Sequence, residues 1–254
     1  MSLAVRVFYP ALGVLILLAL WLMATEVFKV SPVLLPAPMD VFLAFVNRFP
    51  LIMREGWVTL QETMLGFLLA LAIGIPLAVA IANSRPLNLM FYPLLVALQS
   101  VPKVALAPII LVWLGTGLES KLAIVWLVAF FPIIIDTAAG LRATPRELIE
   151  LARSMKASPW HMFAKVQFPA ALPHVLTGAK VAITLAVIGA VIGEFMGASS
   201  GLGYLLLSAT SQLNTPLAFA ALFALSFMGL GVYGLIELVE LALARWLPPK
   251  GQGH

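Results

Sequence analysis

The residues able to do chemistry in this chain are few, and they interrupt apolar segments. Glu62, Lys103, Asp136, Lys180 and Glu194 stand within long hydrophobic runs. A charge in lipid is costly and marks a solute path, a proton relay or a buried pair. Lys103 follows Pro102 in a run broken by Pro93, Pro102 and Pro108. Freed backbone groups and a cation there could face an anionic solute, or Lys103 could form a salt bridge with Asp136 or Glu194. Asp136 lies four residues from both Pro132 and Gly140, a setting for an ion pair or a close helix contact. Glu62, one turn into its run, reads as interfacial, and Lys180 as a side chain that snorkels to the membrane surface. His161, His174 and His254 show no metal-ligand spacing and no set of nucleophile, base and orienter. No metal site, cofactor site or enzyme active site is expected.

The elements that must position these groups are membrane helices. Of 254 residues, 62% are hydrophobic and 10% charged, against about 25% charged in a soluble domain. The runs are continuous rather than alternating, which argues against an outer-membrane barrel. The basic residues are spread thinly and form no nucleic-acid face. Zero cysteines exclude a disulfide scaffold or a thiol nucleophile. Six runs have the roughly 20 apolar residues that cross a bilayer: 7–28, 59–82, 91–114, 122–141, 172–193 and 217–246. The first is expected to be an uncleaved span. The third is expected to be a broken helix.

Six spans place both termini on one side. With the N-terminus inside, that side collects Arg6, Arg85, Arg142, Arg146, Arg153, Lys156, Lys165, Arg245 and Lys250, and the other only Lys29, Arg48, Arg54 and Lys121. Lys and Arg accumulate on the cytoplasmic face, so both termini are expected there.

Between the fourth and fifth spans the chain leaves the membrane. In "ATPRELIELARSMK" Thr144 can cap a helix, Pro145 fits its first position and Glu147 completes a capping box. Leu148, Leu151, Ala152 and Met155 share one face; Glu147, Glu150, Arg153 and Ser154 lie away from it. Ser158-Pro159 repeats the start signal, Trp160, Phe163 and Ala164 make a second stripe, and Pro169 and Pro173 are expected to end that helix. Two short amphipathic helices joined by a sharp turn result. They suit either a docking surface or a pair lying on lipid headgroups.

The stretch "ELARSMKASPWHMFAKVQFPAALPHVLTG" resembles the EAA loop of the permease subunits of bacterial ABC importers. Glu150, Leu151 and Ala152 stand at its E-A-A, and Phe168-Pro169 and Leu172-Pro173 at its proline end. "SVPKVALAPIILVWLGTGLESK" is most similar to the nitrate/sulfonate/taurine group, which includes relatives for pyrimidine-type vitamin precursors and riboflavin. The resemblance implies an all-α integral membrane protein: one transmembrane domain over 1–254, six spans, and two short cytoplasmic coupling helices in a loop at about 144–173. It also implies a partner set of a cytoplasmic ATP-binding subunit, a periplasmic solute-binding protein and a second permease copy, in the bacterial inner membrane. Glu147, Glu150, Ala152, Arg153, Lys156, Ser158, Pro159 and Trp160 would then couple to the ATPase. Lys103, Asp136 and Glu194 would line the pathway. The solute implied is a sulfonate- or nitrate-like anion or, by the charge at Lys103, a heterocyclic precursor. Energy must come from the partner, because no G-x-x-x-x-G-K-[ST] phosphate loop occurs in the sequence. Lys156 stands where the family has glycine, so a wider turn, or a Lys156 contact with the ATPase, is expected there.

Small residues let membrane helices approach closely. Gly66, Ala70, Gly74, Ala78 and Ala82 form one ladder, and Gly178, Ala182, Ala186 and Ala190 another that Glu194 continues. The second ladder is a candidate for a face near a dimer axis. The first outer loop, with Pro32, Pro36 and Pro38, reads as a connector or a receptor platform, and "GASSGLGYLLLSATSQLN" as a re-entrant turn or gate loop.

Overall fold

Residues 3–243 are described in a computed structural model, with side chains from residue 8 onward. Arg245, Trp246, Lys250 and His254 lie outside the described residues. The elements are α1 (Leu3–Leu22), α2 (Pro38–Asn47), α3 (Phe49–Asn83), α4 (Arg85–Gln99), α5 (Ala107–Leu114), α6 (Leu118–Arg142), α7 (Arg146–Ser154), α8 (Pro159–Met162), α9 (Phe168–Phe195), α10 (Leu202–Ser211) and α11 (Thr215–Ala242). No strand occurs among the described residues. Five helices are long and apolar enough to cross a membrane; a sixth span results if α4 and the segment Lys103–Leu114 count as one, bent by 90°. The expected break of the third span therefore falls at Val101-Pro102, where proline lacks an N–H and pushes its predecessor out of the helical region.

Two compact units divide the chain, residues 1–58 with 200–226, and 59–199 with 227–254. In the first, the Trp21 indole donates to Pro36 O at 2.9 Å and stacks on Phe223, and Thr215 donates to Val33 O at 2.9 Å. The connector after α1 is tied down by these bonds. The glycine- and serine-rich stretch contains α10, a short apolar helix of ten residues. Gly201, at φ +108°, turns the chain into that helix, and its N–H donates to the buried Glu55 carboxylate at 2.7 Å. A carboxylate at a helix N-terminus meets free N–H groups and the positive end of the dipole.

The second unit holds the larger core. Phe67, Ala70 and Ala78 of α3, Val125, Ala129, Ile133 and Ile134 of α6, Ala182, Ala186 and Ala190 of α9, and Val232 and Ile236 of α11 form one buried cluster. The two ladders explain how these helices come so close. A Cβ on Gly66 would overlap the Val125 side chain, and one on Gly178 would lie 2.8 Å from Asp136 Cβ and 3.0 Å from Pro132 O. Gly74 meets Ile133 in the same way. Both ladders thus face α6 within one subunit. Ala182, Ala186 and Ala190 are fully buried, so the α9 ladder is not a free face for a dimer axis; its small side chains are consumed by packing against the chain's own helices.

Candidate coupling surface and transport cavity

The turn between the fourth and fifth spans folds as its sequence dictates, with three differences. Thr144 does not cap α7. Its hydroxyl donates back to Leu141 O at 2.9 Å, closing the end of α6, and Pro145 takes the cap position without a side-chain bond. Pro169 and Pro173 do not end the second helix either. A π-helical turn at Phe163–Gln167 carries α8 into α9, and Phe168 N–H bonds to Phe163 O. The wider turn relieves the backbone where Pro169 supplies no donor, and α8 to α9 reads as one 37-residue apolar helix, Pro159–Phe195.

The third difference is at Lys156. Its φ is +54°, the left-handed conformation glycine would take there. Ala157 N–H bonds to Ala152 O at 3.0 Å and Lys156 N–H to Arg153 O at 2.9 Å, the two bonds of a Schellman motif. The turn is therefore as tight as glycine would make it rather than wider. The lysine's Cβ carries the strain, of order 1 kcal/mol. Ser158 behaves as read: its hydroxyl accepts the His161 N–H at 3.3 Å and lies 2.7 Å from His161 Nδ1, with Pro159 in the first turn.

The result is an exposed apolar stripe on a short, capped helical pair. Leu148 is 44% exposed, Leu151 58%, Met155 75% and Trp160 70%. Ala152 alone turns inward, and Trp160 lies 5.9 Å from Phe163, ring to ring. Glu147, Glu150, Arg153 and Lys156 are exposed beside the stripe. Among the described residues Glu150 has no hydrogen-bond or ion-pair partner. An exposed apolar stripe edged by charges suits a docking surface or a helix pair lying on lipid headgroups.

The charges within the spans separate into three groups. Lys103 and Asp136 line one cavity of about 420 Å³ with Gln99, Val128, Phe131, Pro132, Val181 and Leu185. The Lys103 ammonium donates to Gln99 O at 3.1 Å and stands 4.8 Å over the Phe131 ring; it forms a salt bridge with neither Asp136 nor Glu194. Glu194 does not line this cavity. It is 1% exposed and accepts the Thr59 hydroxyl at 2.6 Å.

Around Glu194 is a buried group that sequence reasoning missed. Glu62 is buried rather than interfacial, and its Oε1 accepts the Lys121 ammonium at 2.6 Å. Lys121, read as an outer-loop cation, sits in the first turn of α6 with 9% of its side chain exposed. Gly193 of α9 lies against it, so that a Cβ there would be in ordinary contact with Lys121 Cγ at 3.4 Å. The available signal was that Glu62 and Lys121 lie at the start of their spans and Glu194 at the end of its own, which for spans of opposite direction is one side of the membrane. Lys180 likewise does more than snorkel: its ammonium pairs with Glu240 of α11. No group of side chains suited to a metal ion occurs among the described residues.

Several membrane-spanning helices, an interruption with an exposed apolar helix pair, and a broken span beside a largely apolar cavity that holds Lys103 and Asp136 fit a transport subunit. Residues 70–246 match the family of binding-protein-dependent transport system inner membrane components, and the chain belongs to that family. It is 37% identical to a riboflavin transport system permease protein (RibX) of Chloroflexus aurantiacus, over 94% of this chain and 91% of that one. It is 35% identical to a formylaminopyrimidine transport permease protein (ThiX) of Halalkalibacterium halodurans, over 93% and 95%. A putative aliphatic sulfonates transport permease protein (SsuC) of Bacillus subtilis is 31% identical, over 91% and 84%. In fold it resembles a chain of the inward-facing MetNI methionine ABC transporter, with a TM-score of 0.58 and 24% identity, over 75% of this chain and 98% of that one. The chain is therefore an ABC importer permease, a multi-pass membrane protein with ATP-binding and substrate-binding partners.

Proposed function

We propose that two copies of this chain, in the bacterial inner membrane with both termini cytoplasmic, form the pathway of an importer whose ATP is hydrolysed by a partner. Residues 1–254 form one transmembrane domain, and the loop at about 144–173 is its coupling loop. Each α7–α8 pair docks on one ATPase subunit. ATP binding draws the two ATPases and their docked pairs together, the bundle opens outward to accept solute from the binding protein, and hydrolysis resets it inward. The force acts through differential contacts in the two states. The continuous run from α8 through the π turn into α9 gives the docked helix a stiff connection to the buried core. The observation that carries this reading is the exposed Leu148–Leu151–Met155–Trp160 stripe, held by a Schellman turn and a serine cap.

The solute is a heterocyclic vitamin precursor. Supporting this are a cation over an aromatic ring at Lys103 and Phe131, and the similarity to permeases named for riboflavin and formylaminopyrimidine. The test is gentle solubilisation of the tagged chain from its native membrane and counting what co-purifies. One ATPase subunit per permease, two of each per complex, is expected. A stable assembly without an ATPase would refute the docking role of α7–α8.

A further inference from the structure

We propose that the cavity between Lys103 and Asp136 is a solute subsite that takes a flat heteroaromatic ring with a hydrogen-bond donor on one edge and an acceptor on the other. This rests on the importer reading above and adds the chemistry the membrane subunit itself reads. The cavity, at about 420 Å³, falls in the range of roughly 300–1,000 Å³ typical of small-molecule sites, which join apolar walls to a few convergent polar groups. Val128, Phe131, Pro132, Val181 and Leu185 supply the walls.

Opposite charges share this space without pairing. An ammonium has three donors, and that of Lys103 uses one, on Gln99 O at 3.1 Å. Asp136 has no salt bridge or hydrogen bond among the described residues, although His174 of α9 lies within electrostatic range of its carboxyl group. Two half-buried charges facing one apolar cavity are costly unless something spans them. An amino group on the ring would donate to the Asp136 carboxylate. A ring nitrogen or carbonyl would accept from Lys103, and the ring itself would stack on Phe131 once the ammonium moved off its face. Asp136 disfavours a simple anion, and the apolar walls favour a ring over a small, wholly polar solute. Lys103 stands at the 90° break between the two half-helices.

The test is equilibrium dialysis of the purified permease–ATPase complex, without binding protein, against radiolabelled formylaminopyrimidine and radiolabelled ethanesulfonate. The parent is expected to retain the pyrimidine and not the sulfonate. Asp136→Asn and Lys103→Met should each reduce pyrimidine retention at least fivefold while keeping the ATPase bound, and Asp136→Asn should gain sulfonate retention, which a merely structural lesion would not produce. No pyrimidine retention by the parent, equal retention in the variants, or preference for the sulfonate would overturn the subsite. Failure of any ATPase to co-purify would instead overturn the importer reading on which it rests.

Discussion

Replacing Lys121 by methionine should lower the thermal unfolding midpoint of the detergent-solubilised permease by about 10 °C, and adding Glu62→Gln should restore most of it. The Lys121 ammonium meets Glu62 Oε1 at 2.6 Å, with both side chains nearly excluded from solvent. Breaking such a pair from one side leaves a buried charge without a partner, at about 3–5 kcal/mol. In a chain of this size about 1 kcal/mol corresponds to 2–4 °C. Glu62 Oε2 has no hydrogen-bond partner among the described residues, so the carboxylate is incompletely satisfied even before its lysine is lost. Removing both charges leaves two side chains of similar volume, and replacing a buried pair whole is often neutral. A midpoint within 2–3 °C of the parent for Lys121→Met would show that the lysine is solvated and that the pair does not hold α3 to α6.

Glu150→Arg should reduce ATP-driven uptake at least tenfold while leaving the permease inserted and folded. Glu150 is exposed on α7, next to the apolar stripe, and has no partner among the described residues, so its replacement removes no bond within the chain. The effect must fall on what docks there. Reversing a charge in a complementary interface sets like charges against one another at a cost of several kcal/mol, and tenfold is only about 1.4 kcal/mol. Glu150→Gln, which removes the charge without reversing it, should lose less. Uptake by Glu150→Arg equal to the parent at equal expression would remove Glu150 from the coupling surface.

The spans and the amphipathic helix pair were legible because each rests on local pattern. Long apolar runs have few alternatives to membrane helices, and Leu148, Leu151 and Met155 fall on one face by helical geometry alone. The small-residue ladders predicted close packing but not the partner: sequence spacing shows that Gly66 and Gly178 leave space, whereas only the fold shows that α6 fills it. The same limit hid the Glu62–Lys121 pair, whose members are 59 residues apart. Lys156 shows the converse. Its residue type argued against a tight turn, yet the surrounding bonds impose φ +54°, because the two Schellman bonds outweigh the strain at one Cβ. At Pro169 the breaker rule failed because a π turn shifts the hydrogen-bond register just before it, and Pro173 is carried inside α9.

The most direct measurement uses the absence of cysteine from the chain. A Leu151→Cys variant carries a single thiol at the centre of the stripe. In membranes containing the whole transporter, it is treated with a short bifunctional thiol–amine cross-linker and the product analysed by peptide mass. A docking surface predicts one adduct joining Leu151→Cys to a lysine of the ATPase subunit, with a yield that changes between nucleotide-free and ATP-trapped states. A thiol that joins no ATPase peptide in either state, and is instead quenched by a nitroxide-labelled lipid, would place α7 and α8 on the membrane surface and contradict the account.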